Sequence, residues 1–284
     1  MTTSPAQRTL LAVHAHPDDE CIGTGGILAR YSAEGGRTVL VTCTDGAVGE
    51  ISDPSLATPE NLAAVRAVEL EAAVRILGIS RLVTLGYRDS GMAGTADNQH
   101  PASFLQSDFE QAVERVVQVV RAERPQVIVT YDENGMYGHP DHIRAHQVAV
   151  AAFAAAGDAS QYPAAGPLWA PRKLYYSVFP RSAMQTFGER LRAAGIEPPF
   201  AADSEQARQF GVADERVTTR VDVRAYADHK RRALEAHRTQ MGPEQFFMRL
   251  PPEVFVDVFA HEFFQRIEGP TAGPAPETDL FAGL

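Results

Sequence analysis

Short apolar runs of strand length alternate with amphipathic segments of helix length along the first 157 residues. The apolar runs predict buried β-strands at residues 9–14, 38–43, 81–85 and 126–131. Apolar positions at helical spacing predict helices at residues 22–34, 60–77 and 104–124, and a further helix follows the fourth strand. This alternation predicts an α/β fold, with a Rossmann-like, mostly parallel sheet and helices on both of its faces.

The sequence changes after Gly157, where proline and glycine become more frequent. Strand candidates lie at residues 173–179 and 216–223, and helix candidates lie at about 224–239 and 253–266. We expect residues 1–157 to form a metal-binding core and residues 158–284 to form a smaller α+β extension that edges the cleft, within one structural unit. The final segment, residues 269–284, is predicted to lie as a tail on the surface.

Polar segments follow each of the four predicted strands. HAHPDDE follows the first strand, TDGAVGE the second, YRDSG the third and DENGMYGHPDH the fourth. Ligand sites in open α/β sheets lie beyond the carboxyl ends of the strands. We therefore expect these four segments to meet in one site.

Composition excludes several classes of partner. The formal net charge of −10 argues against a nucleic-acid surface, which needs a basic face, and against binding to acidic lipid headgroups. No stretch has the ~18 consecutive apolar residues of a membrane span, and the N-terminus does not resemble a signal peptide. The two cysteines, Cys21 and Cys43, are predicted to be reduced and buried, as in a cytoplasmic protein. A homo-oligomer is compatible with all of this.

The segment after the first strand is dense in metal-binding side chains. It contains His14, His16, Asp18, Asp19 and Glu20 within seven residues. Such carboxylates repel one another unless a cation or hydrogen-bond donors compensate them. Acids at a helix N-terminus are the alternative explanation, because the helix dipole favours them there, but it does not account for the two histidines.

The segment after the fourth strand repeats this theme. It carries Tyr137, His139, Asp141 and His142, with His146 one helical turn beyond. Pro140 suits the first turn of a helix, which would place His142 and His146 on one face. Two histidines, one carboxylate and an open position suit zinc, or iron(II) with a similar facial geometry. Further acids and histidines nearby could then serve as base and acid in metal-assisted hydrolysis.

A dinucleotide site is the competing interpretation of the first loop. Glycines at residues 23, 25 and 26 lie between a strand and a helix, and Asp45 ends the second strand about twenty residues later. The match fails because Leu28 occupies the place of the third glycine and because HPDDE puts negative charge where a pyrophosphate would approach. An NAD-binding oxidoreductase is therefore disfavoured.

At HAHPDDE and YGHPDH the sequence resembles the LmbE-like, or PIG-L, N-deacetylase superfamily. The stretches TYDENG, GHPDHIRAHQ, RDSGMAG, HRTQ and LFAG look like its mycothiol branch, which contains an N-acetylglucosaminyl-inositol deacetylase and a mycothiol S-conjugate amidase. The resemblance implies hydrolysis of an amide on the 2-amino group of a small, sugar-derived substrate of the glucosamine-inositol type. A tailoring deacetylase for another glycosylated metabolite and a non-catalytic metal-binding module remain alternatives.

The resemblance also implies roles for individual residues. The zinc ligands would be His16, Asp19 and His142. Asp18 would be the general base, His139 the acid or oxyanion stabiliser, and Asp141 the residue that orients His139. Tyr137 would help to polarise the carbonyl, while Arg66 and Asp89 would contact sugar and inositol hydroxyls.

Other polar residues are assigned supporting roles or left open. His14 and His146 are expected to pack around the site rather than bind the metal, because a catalytic mononuclear site uses three protein ligands. By analogy with the family, Lys230, His237 and Gln240 lie on one helix near the cleft. A solvated helix face explains these three residues equally well.

Overall fold

A computed structural model describes residues 7–198 and 210–284. The sheet strands are β1 (Thr9–His14), β2 (Arg37–Thr44), β3 (Arg81–Tyr87), β4 (Val127–Tyr131), β5 (Lys173–Val178), β6 (Thr219–Asp222) and β7 (His261–Glu268). They form one sheet in the order β3-β2-β1-β4-β5-β7-β6. The first five strands in this order run parallel, and β7 runs antiparallel to both of its neighbours. The predicted α/β class with a mostly parallel sheet is confirmed.

Helices occupy the connections between the strands. They are α1 (Asp19–Gly23), α2 (Gly25–Ala33), α3 (Leu62–Leu77), α4 (Phe109–Glu123), α5 (Gly135–Gly138), α6 (Pro140–Ala155), α7 (Arg181–Ala193), α8 (Ala227–Ala236), α9 (Phe246–Arg249) and α10 (Pro252–Val258). The helix predicted at 104–124 begins only at Phe109, because the Asp108 side chain accepts a hydrogen bond from the Gln111 amide and caps the helix there. The segment predicted as a helix at 22–34 divides at Thr24 into α1 and α2.

The helix predicted at 253–266 is wrong over its second half. The helix α10 ends at Val258, and His261–Glu268 form strand β7 between β5 and β6. Buried positions alternate along the first half of this strand, which is the period of a sheet and not of a helix. Because β5 of the C-terminal part pairs with β4 of the N-terminal part, one sheet spans both sides of the predicted division at residue 157. That division stays a prediction.

The core lies on both faces of the sheet. Leu10 and Ala12 of β1 pack into one apolar cluster with α2, α3 and α8, whereas Leu11 and Val13 pack into the other with α4 and α6. All six residues of β1 are buried. A strand covered on both faces is apolar throughout, which explains why β1 appears as an uninterrupted apolar run.

The C-terminal segment does not lie as a tail on the surface, as its composition suggested. Leu280 and Phe281 are buried in the core, and the Phe281 ring contacts the Tyr31 ring edge-on, with 5.1 Å between centroids. The Tyr31 hydroxyl donates to Asp279 at 2.9 Å and accepts from the Leu280 amide at 2.9 Å. Burial of these apolar side chains outweighs the flexibility expected of a Pro/Gly-rich segment.

Two further predictions concern cysteines and membranes. Cys21 and Cys43 are both unpaired and buried, as expected. Among residues 7–198 and 210–284, no helix is long and apolar enough to cross a membrane.

Candidate metal and active site

A cavity of about 500 Å³ lies beyond the carboxyl ends of β1 and β4. All nine site residues predicted from the sequence are near it, and eight of them line it. These eight are His16, Asp18, Asp19, Arg66, Asp89, Tyr137, His139 and His142. The ninth, Asp141, is fully buried behind His16. The predicted convergence of the four polar segments therefore occurs at the carboxyl edge of the sheet.

The three predicted metal ligands lie against one another. His16 Nδ1 is 3.2 Å from His142 Nε2 and 3.3 Å from Asp19 Oδ2, and His142 Nε2 is 3.4 Å from Asp19 Oδ1. Ligand atoms about 2.0–2.1 Å from a tetrahedral zinc are about 3.3–3.4 Å apart. The donor types and their spacing therefore fit zinc. His139 also brings a ring nitrogen within reach of His16 and His142.

Asp19 is held in place by hydrogen bonds from two other parts of the loop and sheet. Its Oδ2 accepts from the His16 amide at 2.7 Å and from the Tyr131 hydroxyl at 2.7 Å. Burial by itself raises the pKa of Asp19, but the electrostatic interaction with His142 and the hydrogen bond with His16 outweigh burial and hold the pKa well below its usual range. Asp19 is therefore an ionised carboxylate, as a metal ligand must be.

His142 lies at the start of α6 and stacks on Tyr131, with 4.3 Å between ring centroids. Burial lowers the pKa of His142 to about 3, against the opposing charge of Asp19. A neutral imidazole is the form that binds a metal. Its Nδ1 has no hydrogen-bond partner among the described residues, so packing on Tyr131 fixes the ring.

The Asp141 carboxylate lies against His16, whereas the sequence predicted that it would orient His139. Its Oδ2 is 3.2 Å from His16 Nε2 and accepts from the Ser90 amide at 2.8 Å, while its Oδ1 accepts from the Ser90 hydroxyl at 2.5 Å. The link between Asp141 and His139 is instead through the backbone, because His139 Nδ1 accepts from the Asp141 amide at 3.1 Å. The carboxylate therefore orients His16, as carboxylates behind metal-binding histidines commonly do. Sequence reasoning missed Ser90.

Asp18 lies beside the three predicted ligands His16, Asp19 and His142, here called the trio. Its backbone conformation is strained. Its φ of 110° is outside the range that non-glycine residues usually adopt. Burial raises the pKa of Asp18 to about 6, although the Arg66 guanidinium opposes that shift. Arg66 Nη2 donates to Asp18 Oδ2 at 3.1 Å and to the Pro17 carbonyl at 2.5 Å, and Nη1 donates to the Gly46 carbonyl at 2.8 Å. Arg66 thus fixes the loop that carries Asp18.

The remaining predicted residues face the cavity around the trio. The His139 ring meets the His16 ring edge-on at 4.5 Å, and burial together with His16 lowers the pKa of His139 to about 4. Tyr137 is 41% exposed and contacts the His142 ring edge-on at 4.9 Å. Asp89 Oδ1 is 3.5 Å from His16 Nε2 and accepts from the Gly91 amide at 2.8 Å. All three side chains can therefore reach a molecule bound at the trio.

Comparison with known proteins assigns the chain to a family. The family model for PIG-L, described as GlcNAc-PI de-N-acetylase, matches residues 11–153. The chain belongs to the PIG-L family. A 1D-myo-inositol 2-acetamido-2-deoxy-alpha-D-glucopyranoside deacetylase from Geodermatophilus obscurus is 45% identical over 98% of this chain and 98% of its own length. A protein of the same name, numbered 1, from Catenulispora acidiphila is 44% identical over 98% of this chain and 90% of its own length.

Solved structures show the same fold at lower identity. The N,N'-diacetylchitobiose deacetylase from Pyrococcus horikoshii is 21% identical, with a TM-score of 0.65 over 93% of this chain and 85% of its own length. GalB, a 4-carboxy-2-hydroxymuconate hydratase from Pseudomonas putida, is 18% identical, with a TM-score of 0.63 over 94% of this chain and 99% of its own length. Because one fold supports both a deacetylase and a hydratase, the reaction has to be argued from the site.

The dinucleotide interpretation fails in this PIG-L chain for a structural reason. The Gly26 and Ile27 amides at the start of α2 each donate to the Glu262 carboxylate at 2.8 Å. A pyrophosphate would need those same amides. A Cβ at Gly26 would lie 2.5 Å from Val223, so this glycine permits close packing of the helix against the C-terminal part.

The solvated-face interpretation of Lys230, His237 and Gln240 is wrong. Lys230 and His237 are buried, and α8 ends at Ala236, so His237 caps the helix and Gln240 lies beyond it. Lys230 pairs with Glu262 at 2.8 Å, and Gln240 Nε2 donates to the Glu50 carbonyl at 2.9 Å. The burial of Lys230 and His237 could not be inferred from the sequence of a polar helix.

Glu20 and His237 form a buried pair that sequence reasoning missed. Glu20 Oε1 is 2.7 Å from His237 Nε2, and Glu20 Oε2 accepts from the Asp18 amide at 2.9 Å. The pair therefore connects the C-terminal part to the loop that carries Asp18. His14 Nε2 lies 2.8 Å from Thr24 Oγ1 and His146 Nδ1 lies 2.9 Å from the Tyr131 carbonyl, so neither histidine turns these atoms toward the trio.

Proposed function

We propose that this chain is a zinc-dependent deacetylase that removes the acetyl group from the 2-amino group of a glucosamine-inositol substrate. The observation that carries the proposal is the His16–Asp19–His142 trio, whose donor atoms lie 3.2–3.4 Å apart on the cavity surface. The names of relatives at 44–45% identity over nearly the whole chain support the substrate. Buried free cysteines support a cytoplasmic location.

The metal would be held by His16, Asp19 and His142, with one position open to the cavity. A zinc ion bound there would polarise the amide oxygen and lower the pKa of a bound water. The same donors suit iron(II), which we keep as the alternative metal. Tyr131 and Asp141 would support the site by holding Asp19 and His16.

The residues around the trio transfer protons and stabilise the oxyanion. Asp18, fixed by Arg66, takes the proton from the attacking water. His139 and Tyr137 stabilise the oxyanion that forms when the water adds to the acyl carbon. A proton from His139 or from Asp18 then passes to the amine nitrogen as the carbon–nitrogen bond breaks. The product is the free amine and a carboxylate.

Arg66 and Asp89 remain our proposed contacts to the sugar and inositol hydroxyls. Both side chains line the cavity beyond β2 and β3. Asp89 is the better placed of the two, because its Oδ1 lies at the edge of the trio. The Arg66 guanidinium is already engaged by Asp18 and two carbonyls, so its main contribution is to position the base.

The test combines metal analysis with a direct assay of amine release. We expect about one zinc or iron per chain and hydrolysis of N-acetylglucosaminyl-inositol faster than of free N-acetylglucosamine, because inositol contacts supply orientation. His142→Ala should lose both the metal and the activity, whereas His146→Ala, one turn further along α6, should retain the metal. Metal binding without release of amine from either substrate would refute the proposal.

A further inference from the structure

The cavity has two walls of opposite chemistry on either side of the trio. Sheet order places the β2 and β3 ends on one side and the β5 and β7 ends on the other. The first side carries the polar residues Glu50, Arg66, Asp89 and Gln240, with Val48 and Met92 beside them. The second side, here called the apolar wall, is lined by Met184, Phe187, Phe246, Phe247, Phe259 and Phe263.

The phenylalanines of the apolar wall contact one another. The Phe187 and Phe246 ring centroids are 5.7 Å apart, the Phe246 and Phe247 centroids 3.8 Å, and the Phe247 and Phe259 centroids 5.7 Å. Phe187, Phe246 and Phe247 are only half-buried, although they line the cavity. Such an aromatic surface is more apolar than a sugar needs, so it indicates a ligand group that is itself apolar.

The charged groups on this side do not make it polar. Lys230 and Glu262 line the cavity here, but they pair with each other at 2.8 Å and are both buried. Lys230 Nζ lies 4.9 Å from the Phe259 ring centroid, where the ring face also stabilises its charge. His261 also lines the cavity, and its ring nitrogens lie 3.1–3.2 Å from the Arg220 guanidinium.

The geometry of an amide decides which part of the substrate meets each wall. The sugar and the acyl chain leave a planar amide from opposite ends, and the carbonyl carbon between them must lie at the trio. If the sugar occupies the polar side, as the proposed function requires, the acyl chain points toward the apolar wall. An acetyl group offers a single methyl, which would leave most of that wall uncovered.

We propose that the apolar wall binds an acyl group longer than acetyl, such as hexanoyl, and that the protein hydrolyses N-acyl glucosamines of this class. The inference rests on the proposed function and names its acyl substrate. In the reaction the water oxygen bonds to the acyl carbon, the carbon–nitrogen bond breaks, and the nitrogen takes up a proton from the water. The products are the amino sugar and the fatty carboxylate.

The experiment compares the N-acetyl, N-butanoyl and N-hexanoyl derivatives of glucosaminyl-inositol by amine release. Each methylene that becomes buried should raise kcat/KM by about three- to fourfold. We expect the N-hexanoyl compound to exceed the N-acetyl compound by at least about tenfold, allowing for incomplete burial of the chain. A specificity constant for N-hexanoyl at or below that for N-acetyl would overturn the inference.

Variants test whether the apolar wall causes the preference. Phe247→Ser should lower the ratio of N-hexanoyl to N-acetyl kcat/KM several-fold. Ala183 of α7 also lines the cavity, and Ala183→Trp should lower the same ratio by filling the cavity without removing a packed side chain. The control is Phe153→Ser, which removes a half-buried phenylalanine that does not line the cavity and should leave the ratio unchanged. An unchanged ratio in both cavity variants would contradict the assignment.

A further substrate separates the acyl group from the sugar side. The hexyl glycoside of N-acetylglucosamine carries the same six carbons on the opposite side of the amide. If this glycoside has a higher kcat/KM than N-acetylglucosamine and the N-hexanoyl compound has no higher kcat/KM than the N-acetyl compound, the sugar's substituent lies on the apolar wall. That result would overturn the inference. Hydrolysis of N-acetyl but not of longer amides would refute the inference alone, whereas no hydrolysis of any amide would refute the proposed function as well.

Discussion

Substitution of Glu262 should lower the free energy of unfolding strongly, because its carboxylate is buried and paired. Glu262 is 3% exposed and accepts from Lys230 Nζ, the Gly26 amide and the Ile27 amide, each at 2.8 Å. Glu262→Ala leaves Lys230, which is 1% exposed, as an unpaired buried ammonium and leaves two amides without an acceptor. Removing one partner of a buried pair costs about 3–5 kcal/mol.

Urea unfolding followed by circular dichroism measures this cost from the shift of the midpoint. Lys230→Met should cost less, about 1–3 kcal/mol, because the carboxylate keeps its two amide donors at the start of a helix. The matched control is Glu34→Ala, which breaks the exposed pair with Arg30 and should cost less than about 1 kcal/mol. If Glu262→Ala is no worse than the control, Glu262 does not hold α2 against the C-terminal part.

Four other variants test the site and the C-terminus. Asp18→Ala should keep the metal and lose turnover by about 100-fold or more, whereas Asp19→Ala should lose most of the metal. The reverse pattern would make Asp18 the metal ligand and Asp19 the base. Asp141→Asn should weaken metal affinity by about 10–100-fold in a chelator competition, because the amide orients His16 less well, and an unchanged affinity would exclude that role. Phe281→Ala should lower the free energy of unfolding by about 3–5 kcal/mol, whereas a tail on the surface would predict almost no change.

The sequence predicted the parallel half of the sheet because those strands are buried on both faces. The residues of β1 and β4 are apolar at nearly every position, and this pattern needs no knowledge of tertiary contacts. The strand β7 was mistaken for a helix because its apolar residues alternate over only part of its length and follow a true helix directly. The burial of the C-terminal segment was missed because short apolar runs between prolines resemble linkers.

In the site, too, residues within short motifs could be predicted from the sequence, whereas contacts between residues far apart in the sequence could not. The resemblance of the two motifs to the family predicted the trio, whose members lie in short segments at the ends of β1 and β4. The residues that hold those members come from elsewhere in the chain: Tyr131 is 112 positions from Asp19, and His237 is 217 positions from Glu20. Sequence spacing carries no information about such contacts, so the support of Asp19 by Tyr131 and the Glu20–His237 pair emerged only from the fold.

The insertion of β7 between β5 and β6 has a consequence for how the chain is made. The strand between β5 and β6, the carboxylate that accepts from the first turn of α2 and the ring that contacts Tyr31 all lie at or beyond residue 261. A growing chain that has been synthesised only to residue 260 therefore exposes an unfinished sheet edge and leaves amides of α2 without their acceptor. Chains that stop before residue 261 should therefore be aggregation-prone instead of weakly active.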